Sequence, residues 1–285
     1  MMPALKFSCA DFTFPLLSHE DALDLIARLG IPAVDIGLFP ERSHFQPKHF
    51  VGNVSAAAKR LKSKVHDRGL QIVDLFAVPS SIAHELAPNH PEEKQRQEWR
   101  NFFLQVVDLA GECGVRHVTT GPGVHFDGES IAESLKRASD ELAWCAEQAM
   151  KAGRQLAVEA HMWSVASTPM LARKLVEMTN HLTLTLDYGH FTTQGFSDDE
   201  IEPLVVYASH FHARSACCDF LQTTLTNNTI DFARVLGAMK ECDYSGYVSL
   251  EYVRMEHALV PDVDNLSETI LLRDFLEHEW NRSRG

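Results

Sequence analysis

The chain contains no apolar run long enough to span a membrane, no C-x-x-C pair, no G-x-G-x-x-G after its first apolar segment and no Walker lysine motif. Each absence closes a class. A membrane helix needs about 20 consecutive apolar residues, whereas the N-terminal apolar stretch over residues 5–10 stops at Asp11 and is too short and unflanked for a secretory signal. A soluble, cytoplasmic protein is expected. Its six cysteines, Cys9, Cys113, Cys145, Cys217, Cys218 and Cys242, are scattered through apolar segments, which favours reduced, buried thiols over a disulfide framework or a cysteine-rich zinc site. Without a glycine-rich phosphate loop, an open doubly wound nucleotide-binding sheet is disfavoured. Basic residues are also in short supply. The 26 Lys and Arg face 39 Asp and Glu, a net charge of −13 whose field repels phosphate backbones. Neither nucleic acid nor a membrane is an expected partner.

What is present is a repeating alternation. Strands are expected over residues 5–9, 33–37, 71–77, 115–120, 155–159, 182–187, 208–213 and 246–252. Between and after them, helical spacing, capping residues and stop glycines mark helices over 18–30, 47–68, 99–114, 131–153, 168–179, 231–240 and 264–278, with a further helix capped at Ser197. Met150, Met170, Met178 and Met239 lie on these helices and are expected in the core. Hydrophobic residues make up 45% of the chain and charged residues 23%, enough apolar surface for a large core. No linker or low-complexity tract interrupts the pattern, so residues 1–285 are expected to form one domain. Eight strands alternating with helices in a chain somewhat above about 250 residues predict an α/β fold, a single (β/α)8 TIM barrel.

Four of the strands end in ionisable residues. Leu182-Thr-Leu-Thr-Leu-Asp187-Tyr-Gly-His190 alternates strictly and closes on an acid, with His190 following past a glycine. Leu156-Ala-Val-Glu159-Ala-His161, Ala208-Ser-His210-Phe-His212-Ala-Arg214 and Tyr247-Val-Ser-Leu-Glu251-Tyr end the same way. Parity puts Ala157 with Glu159, Thr185 with Asp187, His210 with His212 and Ser249 with Glu251, facing inward, while Val158, Leu186, Phe211 and Leu250 face the helices. In a TIM barrel the carboxyl ends of the strands converge on the active site. A lone acid at a strand end is usually a helix cap or a solvated loop residue. Four on consecutive strands would need four coincidences, and buried acids that face one another repel unless a cation lies among them.

Three carboxylates and one imidazole make a hard, oxygen-rich donor set, suited to one Mn²⁺ or Mg²⁺ ion, with Co²⁺ or Zn²⁺ as alternatives. Such an ion can hold two adjacent oxygens of a hydroxy-ketone, polarise the carbonyl and acidify the neighbouring carbon for a carboxylate base. His161 and His210 share the inward faces and are candidates for substrate contact or ligand support, with a satisfied interior histidine an equal alternative. Arg214 is a candidate for holding a substrate oxygen, against an ion pair with a site carboxylate. Phe12, Phe39 and Trp163 are candidate pocket walls. His44, His49, His84, His90 and His125 fall in expected loops and carry little information.

These phrases resemble the xylose isomerase-like TIM barrel superfamily, particularly its sugar phosphate isomerase/epimerase family, with ketose 3-epimerase, hydroxypyruvate isomerase and inosose dehydratase relatives. The resemblance implies that Glu159, Asp187, His212 and Glu251 bind one divalent ion. It further implies that Glu159 and Glu251 move a proton from opposite sides of a carbon through a metal-bound enediolate, and that His190 contacts a substrate oxygen. Position 218 holds cysteine where similar ketose 3-epimerases carry an arginine, and Arg214 is the candidate substitute. The function expected is a divalent-metal-dependent isomerase or epimerase of a small keto-sugar or related polyol. A metal-dependent dehydratase of a keto-cyclitol or keto-acid is the alternative on the same site. An apurinic-site endonuclease ranks lower, because of the net charge and the short ligand list, and a non-catalytic sugar-binding barrel is a further reading. Association into a dimer or tetramer is expected from the resemblance alone.

Overall fold

Eight short apolar runs become parallel strands: β1 (Lys6–Ala10), β2 (Ala33–Leu38), β3 (Gln71–Ala77), β4 (His117–Thr120), β5 (Gln155–Glu159), β6 (Thr183–Asp187), β7 (Ala208–Ala213) and β8 (Tyr247–Leu250). The structure is a computed structural model that describes residues 4–282. The strands pair in chain order and β8 returns to β1, closing a (β/α)8 TIM barrel. The helices are α1 (His19–Arg28), α2 (Val54–His66), α3 (Glu93–Cys113), α4 (Ile131–Lys151), α5 (Pro169–Met178), α6 (Gly189–Thr192), α7 (Asp198–Ile201), α8 (Phe232–Glu241) and α9 (Asn265–Arg282). Side-chain oxygens of Ser18, Asn53, Ser130, Thr168 and Asp231 accept from the first-turn amides of α1, α2, α4, α5 and α8. These bonds satisfy donors that a helix start leaves open.

The structure departs from the sequence expectation at a few places. The helix expected over 47–68 is divided into a 3-10 turn, Pro47–His49, and α2. Gly52 takes φ +83° between them, a conformation that ends one helical segment, and Asn53 caps the next. Of the four methionines assigned to the core only Met239 is buried. Met170 is 73% exposed, and Met150 and Met178 are also exposed, because they occupy outward positions where helical phase outweighs residue type. Cys9, Cys113 and Cys145 are buried and every cysteine is a free thiol, but Cys217 and Cys242 are only partly buried and Cys218 is exposed. The Cys217-Cys218 pair sits in the loop after β7, where Asp219 takes φ 69° and turns the chain. Among the described residues no helix is long and apolar enough to cross a membrane.

The main core lies between sheet and helices. Val158, Leu184, Leu186, Phe211 and Leu250 from the strands pack in one cluster with Leu142, Leu175, Leu236 and Leu272 from the helices. The barrel interior is instead unusually polar. Thr119 and Thr185 share a hydrogen bond of 2.6 Å between β4 and β6. His117 bonds Asp74 and Ser209, both at 2.7 Å, and Ser209 continues to Thr183 at 2.6 Å. Two bulges help to aim these groups. The β2–β3 register passes from Val34↔Ile72 to Asp35↔Asp74, leaving Val73 as an extra residue, and the β6–β7 register passes from Leu184↔Ala208 to Thr185↔His210, leaving Ser209 extra. A bulge resets alternation by one residue and redirects a side chain.

Candidate metal and catalytic site

Glu159 and Asp187 are the last residues of β5 and β6, His212 is the penultimate residue of β7, and Glu251 directly follows β8. The Glu251 amide still donates to the Ala213 carbonyl at 3.0 Å, so its strand geometry continues. All four side chains are buried at the carboxyl-end mouth of the barrel. His212 Nδ1 is 2.6 Å from Glu159 Oε1 and 2.6 Å from Glu251 Oε2. Asp187 lies across from Arg214, which follows β7 and bonds it through Nε at 2.9 Å and again through Nη2. Arg214 also reaches Glu251 at 3.2 Å.

The turn after Asp187 brings in His190. Gly189 donates its amide to Asp187 Oδ1 at 2.9 Å, and a Cβ there would lie 3.1 Å from that oxygen and 3.3 Å from the Leu221 carbonyl. A side chain there would require these neighbours to give by a few tenths of an ångström. His190 consequently sits on α6, its Nε2 3.6 Å from Asp187 and 4.0 Å from Glu159.

Ligand-type atoms within 4.8 Å of one another define two overlapping groups, Glu159–His212–Glu251 and Glu159–Asp187–His190, so Glu159 belongs to both. Three of the expected ligands, Glu159, His212 and Glu251, fall in one group, while Asp187 joins Glu159 only in the other, with His190. Here Asp187 is engaged by Arg214, and His190 occupies ligand range beside it. Arg214 forms the ion pair that was the alternative to a substrate contact.

Crowding of carboxylates controls the electrostatics. Burial and the nearby Glu251 push Glu159 up to about 7. Burial likewise raises Asp187, although Arg214 opposes it. Burial disfavours charge on Glu251 as well, but Arg214 and His212 more than offset this and hold it below the usual carboxylate range. Burial also works against charge on His212, yet Glu251, Asp35 and Glu159 together hold it well above the ordinary imidazole range. Burial and Arg214 depress His190 well below that range, and burial alone brings His161 down to about 4. Glu251 Oε2 is buried and held by ion-pair contacts alone, to His212 Nδ1 at 2.6 Å and Arg214 Nη2 at 3.2 Å. Three buried carboxylates crowded about one imidazole are the environment a divalent cation satisfies, and oxygen-rich donor sets suit hard ions.

His210, a candidate substrate contact, lies one layer deeper than His212. Its Nε2 bonds Asp35 at 2.6 Å and its ring sits 5.1 Å from His117. His161 is half-buried at the mouth, 5.6 Å from His190 and 6.1 Å from Trp163. Phe12, Phe39 and Phe76 form an edge-to-face cluster with neighbouring centroids at 5.0 and 4.9 Å, and Phe76 faces the His212 ring at 5.7 Å. An apolar groove lined by Val78, Ile82, Leu86, Val124 and His161 adjoins this wall. Phe12 and Phe39 thus take part in the wall, and Phe76 joins them.

Beneath the site lie the buried interior residues Asp35, Asp74 and His117, which the sequence reading did not single out. The signal was a single charge inside an otherwise apolar strand, as in Ala33-Val-Asp-Ile-Gly-Leu38 and Ile72-Val-Asp-Leu-Phe-Ala77.

No curated protein matches the chain by sequence. Solved structures do match by fold. D-psicose 3-epimerase from Clostridium cellulolyticum H10, determined with D-tagatose, superposes with a TM-score of 0.76 at 15% identity over 97% of this chain and 99% of that one. An L-ribulose 3-epimerase gives 0.75 at 16% identity over 98% and 96%. An IolI protein with a bound zinc atom gives 0.73 at 18% identity over 97% and 99%. The family model for the xylose isomerase-like TIM barrel matches residues 23–274, most of the sequence. With its closed barrel and with Glu159, Asp187, His212 and Glu251 gathered at the carboxyl ends of β5 to β8, this chain belongs to the xylose isomerase-like TIM barrel family.

Proposed function

We propose that the protein is a divalent-metal-dependent isomerase or epimerase of a small keto-sugar or related polyol, acting by carboxylate-mediated proton transfer next to a carbonyl. The observation that carries this reading is the pairing of Glu159 and Glu251. Both lie 2.6 Å from the same ring nitrogen of His212, yet their environments drive their proton affinities apart, Glu159 up to about 7 and Glu251 downward. Such divergence assigns acid and base within one site.

Glu159, Asp187, His212 and Glu251 would hold the ion, with His190 adjacent. When bound, a divalent ion supplies Lewis-acid polarisation of a carbonyl, which acidifies the neighbouring carbon. Manganese and magnesium suit the oxygen-rich donor set, and the zinc of the IolI structure keeps zinc in the range tested.

The chain's own groups account for the proton movements. Glu251, kept ionised by Arg214 and His212, accepts a proton from the carbon beside the carbonyl. Glu159, on the other side of His212 Nδ1 from Glu251, is placed to carry a proton back to the enediolate. Catalysis of this kind typically contributes about 10²–10⁴-fold per group. His190, kept neutral by burial and Arg214, offers an uncharged nitrogen to a substrate oxygen. Phe12, Phe39 and Phe76 exclude water from one side, which strengthens the electrostatic interactions within. The ketose 3-epimerases among the fold relatives support the substrate class.

The test is deuterium incorporation, followed by NMR, with Mn²⁺-supplemented protein in D₂O and a panel of ketoses, keto-acids and keto-cyclitols. Exchange at a carbon next to the carbonyl, lost in Glu251→Gln, is the expected result, and the product distinguishes epimer or isomer from the dehydrated compound. Absence of exchange throughout the panel overturns the reading.

A further inference from the structure

Asp35 is a carboxylate in the middle of β2, wholly buried within the barrel. A buried charge is costly and is retained where it is paired. Its Oδ2 lies 2.6 Å from His210 Nε2 and 3.7 Å from His212 Nε2, and its Oδ1 has no hydrogen bond. His212 thus spans two layers, with Nδ1 at the Glu159 and Glu251 carboxylates and Nε2 turned down toward Asp35. That Nε2 is itself buried and without a hydrogen bond.

We infer that Asp35 is the positioning residue for His212: it holds the imidazole proton on Nε2, so that Nδ1 presents its lone pair to the divalent ion, while His210 fixes Asp35 through the same carboxylate oxygen. The inference rests on the ion site proposed above. An imidazole that gives one nitrogen to a metal carries its proton on the other, and a carboxylate facing that proton fixes tautomer and ring angle and raises ligand basicity. The 3.7 Å contact is an ion-pair distance.

A second reading uses the same atoms. Asp35, Asp74, His210 and His212 also bring ligand-type atoms within 4.8 Å of one another, which suggests an interior cation. One observation favours support over an ion there. Each carboxylate already has its own imidazole, Asp35 with His210 at 2.6 Å and Asp74 with His117 at 2.7 Å.

Asp74 supplies an internal control. It is as buried as Asp35 and makes the same kind of pair, but its partner His117 continues to Ser209 rather than to the site. The experiment measures Mn²⁺ affinity and stoichiometry by chelator competition, with the visible spectrum of the Co²⁺ form, for the wild-type chain, Asp35→Asn and Asp74→Asn. Thermal midpoints in chelator accompany each. The expected result is one ion per chain, affinity weakened about 10–100-fold in Asp35→Asn with an altered Co²⁺ spectrum, and affinity within about twofold of wild type in Asp74→Asn, although both variants are less stable.

Equal affinity in Asp35→Asn and wild type overturns the inference, as does equal weakening by both variants. Two ions in the wild type, falling to one in Asp35→Asn, would replace it with the interior cation. A wild-type chain that binds no divalent ion removes the proposed ion site itself, a different outcome from the others. Should Asp35→Asn fail to fold, long-range ¹H–¹⁵N spectra of the Zn²⁺-loaded wild-type chain decide directly. A protonated Nε2 on His212 supports the inference, and a protonated Nδ1 overturns it.

Discussion

Arg214 donates to Asp187 through both Nε, at 2.9 Å, and Nη2, so a guanidinium from the end of β7 neutralises the carboxylate that ends β6. It also lies 3.2 Å from Glu251. Breaking a buried ion pair by removing one partner strands the other charge and costs about 3–5 kcal/mol. Arg214→Met should therefore lower the stability of the chain in chelator by about that amount. Excess Mn²⁺ should restore a large part, since a cation among Glu159, Asp187 and Glu251 replaces the lost charge. Urea denaturation with and without the ion checks this, and equal losses in both conditions would contradict it.

The loop after β4 hangs on Asn89. Its buried side chain donates to the Val124 carbonyl at 2.7 Å and the Ser134 carbonyl at 3.1 Å, and accepts from the Val124 amide at 3.0 Å. Gly123 approaches so closely that a Cβ would lie 2.3 Å from Asn89 Oδ1, and its φ of +97° disfavours any other residue. Asn89→Ala leaves these backbone groups unpaired, at about 1–3 kcal/mol, and Gly123→Ala should destabilise comparably. Because Val124 and Gly123 line the groove beside His161, both variants should raise KM for the substrate. Thermal denaturation and steady-state kinetics measure the two effects.

Stability should depend on pH in opposite directions with and without an ion. Glu159 rises from an ordinary 4.5 to about 7 on folding. His212 is held well above its ordinary 6.5. Raised groups contribute stability at low pH and lose it as pH climbs through the folded value. His161 and His190 are depressed below 6.5, so their contribution is present above that pH and is lost only on acidification. From about pH 6.5 to 8 the raised groups act alone, and the midpoint in chelator should fall. The increment from Mn²⁺ should grow over the same window, because the ion displaces protons from Glu159 and His212. Differential scanning fluorimetry across the range tests both slopes, and a flat or rising midpoint in chelator would contradict the assignment.

The barrel and the mouth residues were legible because each follows from a local pattern. Strict alternation in residues 182–187 identifies which face Asp187 shares, and an acid at a strand's carboxyl end lies at the mouth of a closed parallel barrel. The layer beneath was not legible, since the bulges at Val73 and Ser209 shift the alternation by one and parity cannot be carried along β3 or β7. Asp35 and Asp74 therefore read as interruptions of apolar runs rather than as partners of His210 and His117. The ion pair of Arg214 with Asp187 depends on side-chain reach across two strands, which spacing alone leaves open.

The most direct test of the account is an anomalous-difference map from crystals of the chain soaked in Mn²⁺. The account predicts one peak within coordination distance of Glu159, Asp187, Glu251 and Nδ1 of His212, with Arg214 withdrawn from Asp187. A map without a peak there, or with its peak at Asp35 and Asp74 instead, would contradict it.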